Sequence, residues 1–370
     1  MAIMDVLKGG GSQLVMEVYT TGPDGEDAVV KSLELPFTSE SLNPTGEFIN
    51  SNAITASRSR GVGDVGNRAA DGSFEVEVNY QNLPWLIYAA LGSHLVATGT
   101  DVILDSNNEL PSYRFFVRHG PTGGKIVEFR DALINSLRLT WASNAIMTAS
   151  VDIVGLVENL DSPTLPSPID YGVGEATTNQ NTLLFPKHFL KDTITGATSI
   201  DACGLYYTEA LTVELLQYAL DLEFTIDNGI DVDAYALDSS GRLVAVPGEL
   251  SISGSTSLLV SPDNANFYAH LKAADIGTRW EKLWLTIMKN PSAVPASILW
   301  HHLQLNNLYI VDISHDIADR GKVAYDIDFE AKHDPSKSPL DMPIFMDLDN
   351  SGNPEGTPPD YWPLPEDAVA

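Results

Sequence analysis

The sequence predicts a mainly β protein with two tandem β-rich domains, each with a short flanking α-helix. Three observations support this fold class: eight stretches alternate apolar and polar residues, helical stretches are few, and one pattern recurs in the second half. Alternation with a period of two indicates strands that bury one face. With 370 residues, the chain is long enough for two domains that each bury a core.

The alternating stretches occur in both halves of the chain. Four end before residue 160 and four begin after residue 220, so strands are predicted on both sides of the midpoint. These stretches are residues 13–19, 73–79, 137–141, 148–154, 222–226, 250–253, 308–313 and 323–329.

Three stretches are candidates for the flanking helices. Residues 83–91 contain Pro84, which suits the first turn of a helix. Residues 265–272 and residues 209–220 are the candidates in the second half. We therefore expect a helix against each sheet.

A pattern in residues 71–85 returns in residues 253–267, at an offset of 182. The Gly-Ser pair at 72–73 falls on the Gly-Ser pair at 254–255. This recurrence predicts an internal duplication, with each copy built as strand, short helix and hairpin pair. Two shorter matches further along the chain are 134–139 with 305–310 and 151–153 with 325–327.

The duplication places the two domains at residues 1–160 and 201–335. Residues 161–200 are rich in Pro, Thr, Asn and Gly, so we expect a linker or excursion there. Residues 336–370 form an acidic, proline-rich tail, which we expect to lie extended and to form no core.

The charge and the cysteine count exclude several classes of function. A formal net charge of -29 argues against a direct grip on nucleic acid, because phosphate contacts need Lys and Arg. The acidity either serves solubility alone or forms a surface past which DNA slides without sticking. The single cysteine, Cys203, excludes an intrachain disulfide and a thiolate metal cluster. No apolar run approaches the ~20 residues of a membrane span, so we expect a soluble, unsecreted protein without a membrane partner.

Two motifs resemble ligand sites without completing them. Residues 120–125 resemble a phosphate loop, but their glycine spacing is short and Ile126 stands where Ser or Thr would hold magnesium. We therefore predict a hairpin turn there. Residues 347–352 match the opening of an EF-hand loop, but the twelfth position is Pro358 instead of glutamate.

The remaining candidate ligands are no stronger. Residues 227–233 hold carboxylates that could gather around a cation, but Asp and Asn beside Gly229 are ordinary turn formers. His301 and His302 are adjacent, so on a strand they point to opposite faces and make a poor chelate. Cys203 lacks the sequence surroundings of a nucleophile. The sequence thus predicts no catalytic, cofactor or metal residues, while carboxylate pairs assembled only by folding stay open.

Residues 37–92 resemble the opening of the major tail tube proteins of siphophage-type bacteriophages. That family has a Glu-Ser-Leu segment, a strand near an Ile-x-Ser motif, an Arg-containing loop, and a Gly-Ser pair before a long strand and a short helix. The matching positions here are residues 40–42, residues 49–51, Arg58, residues 72–73 and residues 83–92.

The resemblance implies a β-sandwich or barrel whose inner sheets join those of neighbouring copies into a β-lined channel. Members with one domain form rings of six, and members with two fused copies build the same ring from three chains. A duplicated chain is thus expected to form a homotrimeric, pseudo-hexameric ring in the virion tail, after assembly in the host cytoplasm. Its partners would be itself and other tail proteins, with DNA passing through the lumen unbound. It would be no enzyme and would need no cofactor.

Arg58, Arg60 and Arg68 form the densest basic cluster of the acidic chain, on a glycine-rich stretch at residues 55–70. Such a loop can order against an acidic face of the next ring, which predicts a ring-stacking role. The alternative is a solvated loop without a partner.

Two other functions fit the same features. The first is another tail component of related fold, such as a terminator, a baseplate hub or a decoration protein, which would not polymerise end to end. The second is a carbohydrate-binding β-sandwich or adhesin that uses Trp280, Trp284 and Trp300 as sugar platforms, although core packing explains these side chains as well.

Overall fold

The computed structural model of the chain is mainly β, as predicted, with α1 (Asn82–Leu91) the one helix among the described residues. The described residues are 11–21, 27–50, 63–79, 82–96, 102–106, 110–121, 123–155, 157–159, 164–166, 204–209, 212–215, 219–232, 245–259, 279–288, 300–316, 324–332 and 344–349.

The strands fall into a first-half and a second-half group. The first-half strands are β1 (Gln13–Thr21), β2 (Asp27–Leu35), β3 (Phe37–Glu40), β4 (Asn43–Asn50), β5 (Gly63–Glu77), β6 (Gly92–Val96), β7 (Val102–Ser106), β8 (Tyr113–His119), β9 (Lys125–Ala142), β10 (Thr148–Gly155) and β11 (Val157–Asn159). The second-half strands are β12 (Gly204–Glu209), β13 (Thr212–Leu215), β14 (Ala219–Asp227), β15 (Ser251–Leu259), β16 (Arg279–Met288), β17 (Trp300–Asp316), β18 (Ala324–Ala331) and β19 (Ile344–Asp349).

Each half contains the same two ladders in the same order. In the first half, β3 and β4 pair with β5, followed by β10 and β9, while a second ladder runs β2, β1, β8, β9 and β11. In the second half, the corresponding orders are β14, β15, β18, β17 and β13, β12, β16, β17, β19. The long strands β9 and β17 thus take part in both ladders of their half.

The two halves also match at single residues. In β3 the register shifts between Phe37 and Ser39, and in β14 it shifts between Ala219 and Asp221, which is the same place at the offset of 182. Such a bulge inserts one extra residue and re-aims the strand. The offset seen at the Gly-Ser pairs therefore extends to the strand that precedes them in each half.

β9 and β17 correspond at an offset of 176. Asp131 and Asn307 have positive φ angles of 51° and 49°, a conformation that is uncommon outside glycine. A register shift then leaves Asn135 as the extra residue in β9 and Val311 as the extra residue in β17. β10 and β18 follow the same offset, since Asp152 and Asp328 sit next to these shifts.

The shorter sequence matches were therefore wrong in register. In the structure, residues 134–139 are equivalent to residues 310–315 of the second copy, and residues 151–153 are equivalent to residues 327–329. The first match has an offset of 171 and the second an offset of 174, so they miss the structural offset of 176 by five and by two residues. An alternating strand repeats its pattern every two residues, which explains the second error. The extra residue Asn135 interrupts the alternation within the first match, as Val311 does in the equivalent residues 310–315.

A direct strand pairing joins the two halves. Residues 136–142 of β9 pair antiparallel with residues 221–227 of β14, so one sheet runs from β3 and β4 through β5, β10, β9, β14, β15 and β18 to β17. A second link is made by β19, which pairs with both β17 and β7. The buried core accordingly runs through both halves, from Trp85 and Phe74 to Phe224 and Phe329.

The helix α1 is buried along its whole length. Its start is fixed by a reciprocal cap, because Asn79 donates its backbone N–H to Asn82 Oδ1 at 2.8 Å and Asn82 donates its N–H to Asn79 Oδ1 at 2.7 Å. Two otherwise orphan N–H groups are satisfied in this way. The helix predicted at residues 83–91 is confirmed, with one more residue at its start.

Two other expectations need correction. The helix proposed at residues 209–220 is wrong, because residues 212–215 form β13 and residues 219–220 begin β14. The tail was expected to form no core, yet residues 344–349 form β19 and Ile344 is fully buried. The acidic composition of the whole segment concealed a short apolar strand. The helix proposed at residues 265–272 lies outside the described residues.

Candidate assembly surface

The joined sheet has one apolar face and one polar face. In β9, Leu137 and Leu139 are buried while Arg138 between them is exposed, and the same alternation holds in β10, β14, β15 and β18. We call the outward side of these strands, together with β5 and β17, the polar face. Its acidic residues are Asp71, Glu75, Glu77, Asp152, Asp221, Glu223, Asp227, Asp312, Asp326, Asp328 and Glu330.

Hydroxyl groups and one arginine hold several of these carboxylates in place. Ser136 donates its hydroxyl to Asp152 Oδ2 at 2.7 Å, and Ser257 donates to Asp326 Oδ1 at 2.7 Å. Arg138 Nη2 lies 2.6 Å from Glu223 Oε1 across the joint between β9 and β14. The hydrogen bond with Glu223 raises the pKa of Arg138 above its usual value. The polar face is therefore an ordered acidic surface.

Two asparagines clamp the joint between the halves. Asn228, which is 5% exposed, donates its side-chain Nδ2 to the carbonyl of Ala90 at 3.0 Å and to the carbonyl of Ile134 at 2.9 Å. Its backbone N–H reaches the Asn135 carbonyl at 2.8 Å, and the Asn135 side chain accepts the N–H of Ile230 at 2.9 Å. The clamp ties the end of α1, the bulge of β9 and the end of β14 together.

The clamp was not found from the sequence. Asn228 and Gly229 were interpreted as turn formers, and they do form a turn, in which Gly229 donates its N–H to Asp227 Oδ1 at 2.9 Å. The partners Ala90 and Ile134 lie 138 and 94 residues away. No local pattern signals such contacts.

Two strand edges of the joined sheet have a ladder partner on one side only within the described part of the chain. One is the β3–β4 edge, which pairs with β5. The other is the β17 edge at residues 310–316, which pairs with β18. An open edge presents unpaired N–H and C=O groups and is a template for another strand.

The predicted ring-stacking residues are only partly described. Arg58 and Arg60 lie outside the described residues. Arg68 is exposed on β5, where it faces Gly46 of β4. The expected loop at residues 55–70 is wrong for residues 63–70, because β4 supplies a ladder that overrides the flexibility of the local glycines.

The motif at residues 120–125 is a hairpin turn between β8 and β9, as predicted, with Gly124 donating its N–H to the Pro121 carbonyl at 2.8 Å. Residues 347–349 of the EF-hand-like motif belong to β19, and Pro358 lies outside the described residues. No group of three His, Cys, Asp or Glu side chains suited to a metal occurs in the described ranges.

The other candidate ligands lie on strands or beyond the described ranges. His301 and His302 lie on β17, opposite β16 and β19. Trp280 and Trp284 lie on β16 and Trp300 begins β17, but their side chains are outside what the structure describes. Cys203 is likewise not among the described residues.

Folding does bring together two buried carboxylates. Glu17 on β1 and Glu128 on β9 are each 3% exposed. Arg114 lies 3.7 Å from Glu17, Arg130 lies 2.7 Å from Glu128, and Ser32 donates its hydroxyl to Glu17. Burial raises the pKa of Glu17, against the hydrogen bond from Ser32 and the charge of Arg114. The ion pairs give these carboxylates a structural role in the ladder of β1, β8 and β9.

Comparison with known proteins identifies the family. Among the described helices, none has the length and apolarity to cross a membrane. A search of curated proteins finds no match. A family model described as phage tail tube protein matches residues 12–331, a range that includes the joint between β9 and β14 and every described strand except β19. The chain belongs to the phage tail tube protein family, which is a family of virion tail structural proteins.

Proposed function

We propose that this chain is a major tail tube subunit that forms rings of three copies, and that the rings stack into a tube through which DNA passes. The observation that carries the proposal is the joint between β9 and β14. It connects the two copies of the ladder edge to edge inside one chain, and among the described strands it leaves one equivalent edge open at each end. Closing such a sheet into a ring removes both open edges.

The ring number follows from the duplication. We propose two tube domains per chain, at residues 1–160 and 201–335 with a linker at 161–200, and the repeated bulges and left-handed residues support this division. Six equivalent domains then require three chains. A closed ring that also presents different top and bottom surfaces can stack head to tail into a filament.

The polar face would line the channel of such a ring. Its carboxylates, held by Ser136, Ser257 and Arg138, repel phosphates and offer few cations for binding. DNA would slide through without adhering. In this role the chain needs no catalytic residue and no cofactor, resides in the virion tail, assembles in the host cytoplasm, and contacts other tail proteins at the ends of the tube.

Electron cryo-microscopy of the purified protein tests the proposal. We expect rings and tubes with a central hole, threefold symmetry that looks nearly sixfold, and an acidic channel wall. Six chains per ring, a basic lumen or no ring at all would contradict it. Discrete rings that never stack would instead fit a terminator, hub or decoration protein.

Stacking is expected to depend on Arg58, Arg60 and Arg68. Replacing Arg58, Arg60 and Arg68 together with serine should leave the fold of the chain intact and weaken tube growth, since charge-assisted hydrogen bonds to a neighbouring ring contribute about 1.5–3 kcal/mol each when desolvated. The measurement is tube length by electron microscopy at several salt concentrations. Tubes of normal length from the triple variant would place stacking elsewhere.

A further inference from the structure

On the basis of the ring proposed above, we infer that it closes by pairing the open edge of β17 in one chain with the β3–β4 edge of the next. The register is the one that β9 and β14 already show inside the chain. The partner is thus a second copy of this chain, bound through a strand edge.

The first half of the inference concerns the β3–β4 edge. β3 and β4 pair with β5 in the same register as β14 pairs with β15, with the same offset of 182 and the same bulge. β14 uses its other side to pair with β9. The corresponding side of β3 and β4 carries no strand in the described part of the chain, so it is the site equivalent to one that is filled at the internal joint.

The second half concerns β17. β9 receives β14 along residues 136–142, and the equivalent segment of β17 begins at Asp312. Residues 312–316 pair with β18 on one side only among the described strands. The receiving edge is therefore present in the second copy as well.

The internal joint fixes which residues should face each other. Arg138 faces Thr225 in the joint, and their counterparts are Ser314 and Asn43, both exposed. The remaining pairs transferred from the joint are Asp312 with Thr45, Ile313 with Pro44, His315 with Leu42, and Asp316 with Ser41.

The chemistry of the two joints differs at the position of the clamp. The counterpart of Asn135 is Val311, which is 42% exposed, and the counterpart of Asn228 is Gly46, which is also exposed. Gly46 retains the backbone N–H that would reach the Val311 carbonyl. In the joint within the chain, this position is occupied by the polar clamp. In the joint between chains, the exposed Val311 is expected to become buried when the chains meet.

The backbone of the β3–β4 edge points in the required direction. Ser41 donates its N–H to Ser73 of β5 at 2.8 Å, so the N–H of Leu42 points away from β5. In the free chain Glu40 Oε2 accepts that N–H at 3.1 Å and so shields the edge, as carboxylates and prolines often do. In the ring, a backbone carbonyl of β17 in the neighbouring chain would accept the Leu42 N–H in place of Glu40 Oε2.

The joint between chains should be weaker than the joint within a chain. Asn228 directs its N–H to β9, so Ile226 does the same by alternation, but its counterpart Pro44 has no N–H to donate. The ion pair of Arg138 with Glu223 is also missing, since both counterparts are serines. Rings diluted below their assembly range should therefore separate into folded single chains.

Cysteine cross-linking tests the register. Asn43 and Ser314 would form a non-hydrogen-bonded pair, whose Cα atoms lie close enough for a disulfide. In a Cys203→Ser background, Asn43→Cys with Ser314→Cys should give disulfide-linked dimers and closed trimers on mild oxidation. Each single variant should give none of these, and Asn43→Cys with Asp312→Cys, which is out of register, should give at least about tenfold less.

The outcomes separate the register from the proposed function. Threefold rings that cross-link better through the out-of-register pair, or through neither pair, would overturn the register and leave the tube function standing. Absence of rings from the Cys203→Ser chain and from the unmodified chain would overturn the proposed function itself.

A second variant tests the contact at the bulge without any cross-link. Val311→Asp should raise the concentration needed for ring formation by at least about tenfold, because it would bury an unpaired charge. Val246→Asp is the matched control, since Val246 is 48% exposed and lies away from both open edges. Equal effects of the two variants on ring formation, measured by light scattering, would contradict the inference.

Discussion

Replacing Asn228 with alanine is expected to lower the free energy of unfolding by about 2–4 kcal/mol, because the variant leaves two buried carbonyls without donors. Those carbonyls belong to Ala90 and Ile134, so the end of α1 and the bulge of β9 both lose a partner. The measurement is urea unfolding of unassembled chains, followed by tryptophan fluorescence.

Asn43→Ala is the control for this prediction. Asn43 is exposed, and within the described part of the chain its side chain donates to the nearby Ser41 carbonyl alone, so its loss should change the free energy of unfolding by less than about 0.5 kcal/mol. If both variants unfolded at the same urea concentration, the clamp would not stabilise the joint.

The second large effect concerns the two glycines that first revealed the duplication. A Cβ at Gly72 would lie 2.6 Å from the Ser41 carbonyl oxygen, and a Cβ at Gly254 would lie 2.5 Å from the Glu223 carbonyl oxygen. Since Ser41 and Glu223 are themselves separated by the offset of 182, the close approach is the same in both copies. The Cβ built at Gly254 would also lie only 2.6 Å from the Phe329 ring.

Gly72→Ala and Gly254→Ala are each expected to destabilise the fold by about 1–3 kcal/mol, since rigid backbone must move to admit the methyl group. Gly72→Ala should be the more severe of the two, because its methyl group would meet two backbone atoms, the Ser41 oxygen at 2.6 Å and the Leu42 Cα at 2.7 Å, whereas the second neighbour at Gly254 is the end of the Phe329 side chain. Thermal unfolding of each variant beside Ser253→Ala, an exposed neighbour in β15, measures the effect. If a glycine variant unfolded at the same temperature as Ser253→Ala, the neighbouring strands could move apart to admit the methyl group without any loss of stability.

The sequence predicted the parts of the fold that depend on local pattern. Alternation located the buried faces of β5, β10, β14 and β15. The paired glycines, Gly72 and Gly254, each lie where a close strand approach leaves no room for a Cβ. The register of β17 was not predictable because the extra residue Val311 interrupts its alternation. The register of β18 was not predictable because an alternating strand repeats its pattern every two residues. β19 was missed because composition was averaged over a long acidic segment.

Only the sign of the charge on the candidate assembly surface was predictable from the sequence. The net charge suggested an acidic surface, and the structure shows carboxylates gathered on one face of the joined sheet. The face and the edges involved could not be predicted from the sequence, because they depend on the pairing of β9 with β14. Paired residues there lie between 79 (Ala142 with Asp221) and 91 (Ser136 with Asp227) positions apart. Long-range pairing leaves no trace in local periodicity.

The joint between β9 and β14 also alters the entropy of building a ring. Two domains tethered in one chain are already correctly oriented, so their association involves no loss of translational freedom and is independent of protein concentration. The proposed ring would then need three molecules to meet instead of six, and its population would vary with the third power of the free subunit concentration rather than the sixth. Two domains in one chain would therefore allow rings to form at lower subunit concentrations.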